Sequence, residues 1–365
     1  MVESPWGPLP WWLIYTPVAI IGLALGSFAN VLVYRLPRGE SIVNPPSHCP
    51  GCGRPIRAYE NIPILSWLLL GARCRTCHAT ISVRYPLLEL AGAELAIVSV
   101  RLWGLSYASF AYGLLFIALL ALVIIDLESW LLPFAVTLPI AIIGLAGVVF
   151  FRLRPLADSL LGMITGVVVL AGIGVLGNAL FRRKQREDPT AGTSEESPSD
   201  DGLALPYMII AGLLIAAVVL SFVSRLNSVT SGWLFVAICA LPFLAIVSLY
   251  RIAFGPKRKE VPADSVAFGK ASAEIGEELK DAGAMGGGDI VFGLMAGIYL
   301  GWKLTLLMTF MASILGTLLA LLLVIMRINI KNLKIQFGPL LAVSAVVCLL
   351  VGDRIVDWYI GFLSA

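Results

Sequence analysis

The chain has 365 residues, of which 59% are hydrophobic and only 13% are charged, and its mean hydropathy is +0.91. This composition excludes an ordinary soluble domain and indicates an integral membrane protein. No alternating pattern of roughly ten residues suggests a barrel, so the apolar runs predict membrane-spanning helices. The net charge of +3 needs no nucleic-acid partner, because the basic residues cluster in loops between the predicted spans.

In chain order, the apolar runs predict an all-α polytopic membrane protein with about 8–10 transmembrane helices. The predicted spans are 11–34, 86–103, 108–126, 131–151, 158–181, 204–223, 232–254, a short span at 290–301, 303–326 and 338–352. The first run has no basic segment before it and is too long for a cleaved signal peptide, so a retained span is expected.

Lys and Arg residues orient these spans, since cytoplasmic loops carry an excess of both. With the N-terminus placed outside, the inner segments hold 20 of the 26 basic residues. The inner segments are 35–85, 182–203, 251–289 and 327–337. The asymmetry therefore predicts a multi-pass protein whose N-terminus is periplasmic or external.

The chain is expected to divide into seven segments. These are a first transmembrane helix at 1–34, a cytoplasmic module at 35–85, spans at 86–181, a disordered cytoplasmic linker at 182–203, an inserted pair of spans at 204–254, a cytoplasmic loop at 255–288 and the closing spans at 289–365. The linker prediction rests on its charged, Ser- and Pro-rich composition. The module at 35–85 is too small to form a large hydrophobic core, so it needs an additional stabilising element such as a metal site or disulfides.

Four cysteines are candidates for this stabilising element. Cys49 and Cys52 form one CxxC pair, Cys74 and Cys77 form another, and 21 residues separate the two pairs. This pattern matches a four-thiolate zinc site, in which each pair provides two corners of a tetrahedron. Disulfides or redox pairs are the alternative, but a cytoplasmic module lies in a reducing compartment. A closed set of four cysteines predicts a structural zinc ion without an open position for catalysis.

Two aspartates stand at the ends of apolar runs. Asp126 closes LLFIALLALVIID, and Asp289 follows Gly286, Gly287 and Gly288. Placing an acidic side chain at the edge of a bilayer costs free energy, so such a residue suggests a functional site. The alternative for each acid alone is that it extends to the lipid headgroups or caps a helix. The glycine triplet lets the backbone approach a substrate strand. Two carboxyls in one site could share a proton, so that one activates water while the other polarises a carbonyl.

Glu89 and Glu94 lie early in the second predicted span. An acid within a span suggests function, and Glu89 is a candidate for substrate binding or methyl transfer. A hydrogen-bonded packing role is the alternative for Glu89 and the preferred interpretation for Glu94.

Several blocks resemble the type IV prepilin peptidases (leader peptidase/N-methyltransferases), a family of aspartic peptidases with a GxGD motif. They are GSFANVLVYRLPRGES at 26–41, the cysteine block at 48–94, VIIDLESWLLP, AMGGGDIVFGLMAGIYLGW and FGPLLAVSAV at 337–346. The resemblance implies an inner-membrane endopeptidase with Asp126 and Asp289 as its catalytic pair. It would cleave type IV prepilins or pseudopilins at the cytoplasmic face, for pilus assembly or type II secretion. In many members the same enzyme then methylates the new N-terminal residue, with S-adenosylmethionine as the methyl donor.

The sequence departs from the family pattern at two positions near the acids. Val291 stands where the family usually has Lys, and Phe134 stands where an acid often follows LP. An additional segment of about 80–100 residues also separates the two aspartate blocks, and it adds an even number of spans. The missing Lys and the missing acid favour, as the alternative function, a non-catalytic or peptidase-only relative that acts in pilus or secretion-system assembly. A transporter is a weaker alternative, because few polar residues lie deep in the spans.

Overall fold

The computed structural model describes residues 3–4, 7–8, 10–187, 287–325 and 336–364. Within these residues, six helices are long and apolar enough to cross a membrane. They are Trp11–Arg38, Tyr107–Ser129, Phe134–Phe151, Leu156–Leu176, Gly287–Leu321 and Phe337–Phe362. The prediction of an all-α polytopic membrane protein is confirmed. The predicted spans at 204–223 and 232–254, and the loop from 255 to 286, lie outside the described residues.

The chain forms two compact units, and the boundary in the described N-terminal part falls after Ala121. The first unit contains a short hairpin of β1 (Glu3–Ser4) and β2 (Gly7–Pro8), then α1 (Trp11–Arg35), α2 (Leu65–Leu69), α3 (Arg84–Trp103) and the first part of α4 (Tyr107–Ser129). The second contains the rest of α4, α5 (Phe134–Phe151), α6 (Leu156–Glu187), α7 (Gly287–Ile325) and α8 (Phe337–Leu363).

In the first unit, helices α1 and α3 pack backbone against backbone at glycine positions. A Cβ added to Gly22 would lie 2.6 Å from the Cα of Ala93, and one added to Gly26 would lie 2.7 Å from the Cα of Glu89. Only glycine allows these approaches, as in other membrane helix pairs. The side-chain amide of Asn30 adds a hydrogen bond across the pair, donating to the Tyr85 carbonyl over 3.1 Å.

Helix α3 is more polar than the predicted span at 86–103 suggested. It carries Arg84, Glu89, Glu94 and Arg101 within its 20 residues. It is not among the six apolar helices, because these charges lower its hydropathy. The helix instead supplies buried polar groups to the first unit, since Glu89 is only 7% exposed.

In the second unit, helices α6 and α7 meet along a second glycine surface. Gly162 and Gly166 on α6 face Gly293 and Gly297 on α7. A Cβ added to Gly293 would lie 2.8 Å from the Gly166 carbonyl oxygen, and one on Gly297 would lie 2.8 Å from the nitrogen of Met163. This contact fixes α7, and with it the first turn that carries Asp289.

Gly301 interrupts α7, with φ at +74° and ψ at 173°. An unbroken helix of 39 residues would extend about 58 Å, far beyond the ~30 Å hydrocarbon core. Near the break, the Arg154 guanidinium donates to the Tyr299 carbonyl over 3.2 Å and pairs with Asp158 at 3.4 Å. The break falls between the predicted spans 290–301 and 303–326, which are the two halves of this helix.

Helix α6 continues to Glu187, which corrects the predicted start of the linker at residue 182. The segment 182–187 reads RRKQRE, and all of these residue types have high helix propensity. The composition of this segment indicated a linker. The helix nevertheless continues into it, because its residues have high helix propensity and follow an already formed helix. The rest of the predicted linker, 188–203, lies outside the described residues.

Candidate active site and metal centre

Asp126 lies in the last turn of α4 and is only 6% exposed. The run before it is almost entirely buried and apolar, so this carboxyl is the polar end of an apolar helix. The helix ends three residues later, where Trp130 takes a positive φ of 58° and its N–H donates to the Asp126 carbonyl over 2.8 Å. A bulky residue in this conformation is uncommon, and here it closes the helix directly after the acid.

The N-terminus of α8 approaches Asp126. The Gln336 side-chain amide donates to the Asp126 carbonyl over 2.9 Å, and the backbone N–H of Gly338 donates to its carboxyl group. A Cβ on Gly338 would overlap Oδ2 of Asp126, so the contact requires glycine. The free N–H groups and positive dipole end of a helix favour an anion at this position.

Sequence reasoning did not single out Gln336 or Gly338. Their block was noted for its resemblance, but nothing in it pointed to contact with a residue about 210 positions earlier. The available signal was the pair Gly338–Pro339 inside the first turn of a helix, where proline is tolerated and glycine is otherwise unfavourable.

Asp289 lies in the first turn of α7 and is half-buried. The glycine before it is required by packing, since a Cβ on Gly288 would lie 2.7 Å from the Leu132 Cβ and 2.8 Å from its carbonyl oxygen. Gly287 is buried at the start of the helix, whereas Gly286 lies outside the described residues. The close approach at Gly288 is therefore to Leu132, and the approach of the triplet to a substrate stays a prediction.

The two acids belong to one site. Leu132 contacts the Gly288 position and also lies 3.3 Å from the Gly338 position, so a single residue connects the surroundings of Asp289 and Asp126. The charges of the two aspartates repel each other. Two carboxyls in one site could share a proton, which would give one acid and one base for moving the protons of a water molecule.

The two departures from the family pattern lie at the starts of helices beside the acids. Val291 is half-buried in α7, two residues after Asp289, and Phe134 is the half-buried first residue of α5. Neither position places a third charge beside the pair. Among the described residues, the site comprises the two carboxyls, the Gly338 N–H, the Gln336 side-chain amide and apolar side chains such as Leu132.

The predicted cysteine ligands come together in the first unit. The sulfurs of Cys49, Cys52, Cys74 and Cys77 all lie within 4.8 Å of one another, and the Cys49 and Cys77 sulfurs are 3.6 Å apart. Tetrahedral zinc with bonds of about 2.3 Å needs sulfurs about 3.8 Å apart. The four thiols could therefore hold a metal ion of this kind.

Two equivalent turns present these sulfurs. In the first, the N–H of Gly53 donates to the Cys49 carbonyl over 2.8 Å, and in the second the N–H of His78 donates to the Cys74 carbonyl over 3.0 Å. Gly53 and His78 both have positive φ, at 70° and 55°. Backbone N–H groups of Cys77 and Thr76 lower the pKa of the Cys74 thiol to about 6, whereas burial and hydrogen bonds with the other three sulfurs raise the pKa of the Cys77 thiol to about 11.

Glu60 links the two turns. Its carboxylate, only 5% exposed, pairs with Arg54 beside the first turn and with Arg75 inside the second, the latter at 3.5 Å. The hydrogen bond from Arg54 lowers the pKa of Glu60. Arg54 also donates to the Thr76 hydroxyl over 3.1 Å, so one carboxylate and one guanidinium hold both halves of the cysteine cluster.

Glu89 belongs to the first unit, whereas the two aspartates belong to the second. Its Oε2 accepts a hydrogen bond of 2.7 Å from the backbone N–H of Ile64 and a further one comes from the Ser27 hydroxyl. Ile64 has a positive φ of 61°, a strained conformation for a β-branched residue. Glu89 also lines a cavity of about 380 Å³ between the cysteine module and helices α1 and α3.

Two family profiles match the chain. The bacterial peptidase A24 N-terminal domain matches residues 20–103, and the type IV leader peptidase family matches residues 201–321. The first match contains all four cysteines and Glu89, and the second contains Asp289. Asp126 lies outside both matched ranges.

Curated relatives carry the name prepilin leader peptidase/N-methyltransferase. The protein from Myxococcus xanthus is 40% identical over 165 residues, which is 45% of this chain and 49% of the relative. Those from Aeromonas salmonicida and Pseudomonas aeruginosa are 38% and 37% identical over 44% and 41% of this chain, and 63% and 60% of the relatives. The match thus spans about half to two thirds of these proteins. No solved structure matches the chain.

Proposed function

Since the chain belongs to the type IV leader peptidase family, we propose that it is an aspartic endopeptidase of the bacterial inner membrane. It removes the leader from type IV prepilins or pseudopilins at the cytoplasmic face, with its N-terminus outside. The observation that carries the proposal is the contact of the Asp126 carboxyl with the Gly338 N–H, in a site whose second acid is Asp289.

In the proposed mechanism, the two carboxyls share one proton, and we assign the role of base to Asp126 and the role of acid to Asp289. Asp126 takes a proton from water as the water oxygen bonds to the scissile carbonyl carbon. Asp289 gives its proton to the carbonyl oxygen. When the intermediate collapses, the carbon–nitrogen bond breaks and the proton held by Asp126 passes to the leaving amine. Asp289 regains its proton from the hydroxyl of the new carboxyl group.

Replacing either acid with its amide tests this proposal. Asp126→Asn and Asp289→Asn remove the proton-transfer groups while keeping size, so each should reduce leader cleavage by at least about 10²-fold. Cleavage is measured on a purified prepilin from the same genome, by the mobility shift of the product. Asp353→Asn, an exposed acid on α8, is the matched control and should retain full activity. Full cleavage by either active-site variant would exclude the pair.

The cysteine cluster is proposed to hold a structural zinc ion through Cys49, Cys52, Cys74 and Cys77. The sulfur spacing supports this proposal, and four thiolates leave no position for water or substrate. The ion would keep the module folded, since a segment of this size has little core of its own. It takes no part in the peptidase steps.

Methyl transfer to the new N-terminus is proposed as the second activity. S-adenosylmethionine would supply the methyl group, and Glu89 is the candidate residue for leader binding or methyl transfer. The names of the relatives and the burial of Glu89 beside a cavity support this assignment. Incubation with prepilin and labelled S-adenosylmethionine tests it: a cleaved but unlabelled product would mark a peptidase without methyl transfer.

A non-catalytic assembly factor is the second candidate function. The apolar residues Val291 and Phe134 beside the acids favour it, because they replace polar groups that the family usually carries. This candidate predicts that the purified protein binds a cognate prepilin without cleaving it, whereas the peptidase releases the leader.

A further inference from the structure

The short helix α2 exposes a row of leucines on the outside of the cysteine module. Leu65, Leu68 and Leu69 stand three or four residues apart and so share one face of the helix, and the last two are 61% and 78% exposed. None of the three lines the cavity of the module. The opposite face is held inside the module, since the Ser66 hydroxyl donates to the Tyr59 carbonyl over 3.1 Å. Clustered exposed apolar side chains of this kind mark an interaction surface.

Contacts with α1 and α3 fix the depth of α2. The two long helices run antiparallel, with Gly26 of α1 packed against Glu89 of α3. The backbone N–H of Ile64, directly before α2, donates to the Glu89 carboxylate over 2.7 Å. The side chain of Glu89 reaches back along α3 by at most one turn. α2 therefore begins about five to nine residues before the end of α1 at Arg35, which is about 8–13 Å along the axis of α1.

This level lies inside the bilayer, because α1 is one of the membrane-spanning helices. The helix starts with two exposed tryptophans, Trp11 and Trp12, which are typical of the membrane interface. A hydrocarbon core of ~30 Å takes about 20 residues of helix, so it ends near Leu32 when it starts at Trp12. The start of α2 is then about 3–9 Å inside that boundary. The exposed leucines therefore lie at the depth of the acyl chains.

The charges beside α2 match an anionic lipid surface. The exposed Arg73 follows the helix, with its N–H donating to the Leu70 carbonyl over 3.2 Å. The exposed Arg57 donates to the Tyr59 hydroxyl over 2.8 Å. Segment 35–85 contains seven arginines and only two acids, and one of these acids, Glu60, is buried in ion pairs. Basic residues next to apolar anchors strengthen binding to anionic lipids.

We propose that α2 inserts Leu65, Leu68 and Leu69 among the acyl chains of the cytoplasmic leaflet, where anionic headgroups contact Arg57 and Arg73. The cysteine module is thus bound to the bilayer surface as well as joined to it through α1 and α3. This inference is independent of both proposed activities and rests on the proposed membrane orientation only for the charge of the leaflet. Two other occupants of this surface, a prepilin helix and a second copy of the chain, are distinguished by the test.

A nitroxide label locates α2 relative to the lipid. A ketone-bearing amino acid replaces Leu69 in the full chain and is labelled through its ketone, which spares the cysteines. The protein is placed in nanodiscs of phosphatidylglycerol and phosphatidylcholine. Oxygen concentrates among acyl chains, whereas a water-soluble nickel chelate stays outside them. The ratio of the two collision rates, measured by electron paramagnetic resonance, therefore reports whether the label is in lipid or in water.

Two labelled positions are controls. Ile20 is exposed on α1, within the span, and should be in lipid. Val43 is as exposed as the leucines, at 73%, but it belongs to the loop whose carbonyls Arg35 binds at the end of α1. The oxygen-to-nickel ratio at Leu69 should match the ratio at Ile20 and exceed the ratio at Val43 severalfold.

Three outcomes would overturn the proposal. The first is a ratio at Leu69 equal to that at Val43, which would place α2 in water. The second is a low collision rate with both reagents, which would show that protein, such as a second copy of the chain, covers the leucines. The third is a label that nickel reaches until a prepilin is added, because the surface would then bind substrate.

A polar substitution measures how much the lipid contact stabilises α2. Leu68→Gln removes one leucine from lipid and should lower the hydrogen-exchange protection of amides 66–71 by about tenfold or more. Val43→Gln is the matched control and should leave this protection unchanged. Replacing phosphatidylglycerol with phosphatidylcholine should also lower it. Protection that neither Leu68→Gln nor the lipid change alters would contradict the proposal. Leader cleavage is assayed in parallel, so failure of this surface and failure of the peptidase are distinguished.

Discussion

At the scale of single residues, Gly338 has a role that its lack of a side chain makes easy to overlook. Its N–H reaches the Asp126 carboxyl because no Cβ stands between helix α8 and the acid. The same first turn brings Gln336 to the carbonyl of Asp126. The acid is thus held at both its side chain and its backbone by the start of a single helix.

Gly338→Ala should therefore damage the proposed peptidase without a change in any ionisable group. The new Cβ would displace Oδ2 of Asp126, and a shift of about 1 Å at a catalytic group can cost on the order of 10²-fold in rate. Leader cleavage is the measurement. Gly361→Ala on the same helix is the control, because a Cβ there meets nothing within 4 Å. Equal activity of the two variants would contradict the role of Gly338.

The contribution of Glu60 to the stability of the cysteine module should depend on pH. Its pKa is lowered by Arg54, so its stabilising effect is present above the ordinary pKa of a glutamate and is lost as pH falls through the lowered value. Glu60→Gln should reduce hydrogen-exchange protection of the cysteine module at pH 7. The difference from the wild type should narrow in acid, where the wild-type carboxylate is protonated.

Glu40→Gln is the control for Glu60, since no ion pair involves Glu40 in the described part of the chain. Its protection should match that of the wild type at every pH. A Glu60→Gln difference that persists unchanged into acid would show that shape, and not charge, accounts for the effect.

At the scale of elements, glycine contacts determine which helices approach most closely. α6 and α7 touch through Gly162, Gly166, Gly293 and Gly297, where a Cβ would overlap backbone atoms of the other helix. Lipid tails offer no hydrophobic driving force between helices, so such close van der Waals packing carries much of the association. The pair in turn positions the first turn of α7.

Gly166→Ala should destabilise the second unit by about 1–3 kcal/mol, because the methyl group cannot be accommodated without separating the helices. Gly172→Ala makes the same substitution on the same helix where nothing lies within 4 Å, and it should be neutral or slightly stabilising. Unfolding of both variants by a denaturing detergent measures the difference. Equal stability would contradict the packing account.

The sequence predicted helices better than it predicted their ends and contacts. Hydropathy located α4 and α5, since long apolar runs have few alternatives to helix in a membrane protein. Hydropathy also indicated the helix at α3, but it did not indicate the burial of Glu89, which depends on packing that a single sequence does not reveal. The Gly338 contact was also missed, because it joins segments about 210 residues apart and depends on tertiary structure.

At the scale of the whole molecule, the cysteine module is expected to depend on metal while the helices do not. Chelation should expose Arg54, Arg57, Arg73 and Arg75 to trypsin and leave the helical circular dichroism nearly unchanged, since the module contributes little helix. Cys52→Ser and Cys77→Ser should behave like the chelated protein. The purified wild type should contain about one zinc per chain.

Cys348→Ser is the control, because this buried cysteine lies on α8 and is not a member of the four-cysteine cluster. It should retain zinc and trypsin resistance. Zinc retained by Cys52→Ser at wild-type affinity would contradict the four-thiolate site.

The contact between α8 and Asp126 also bears on the order in which the protein is made. Asp126 emerges from the ribosome about 210 residues before Gln336 and Gly338, and Asp289 emerges between them. A nascent chain that has inserted both acids still lacks the N–H groups that hold the first one. The proposed peptidase would therefore become active only after translation has passed Gly338, and a chain arrested or truncated before that residue should be inert.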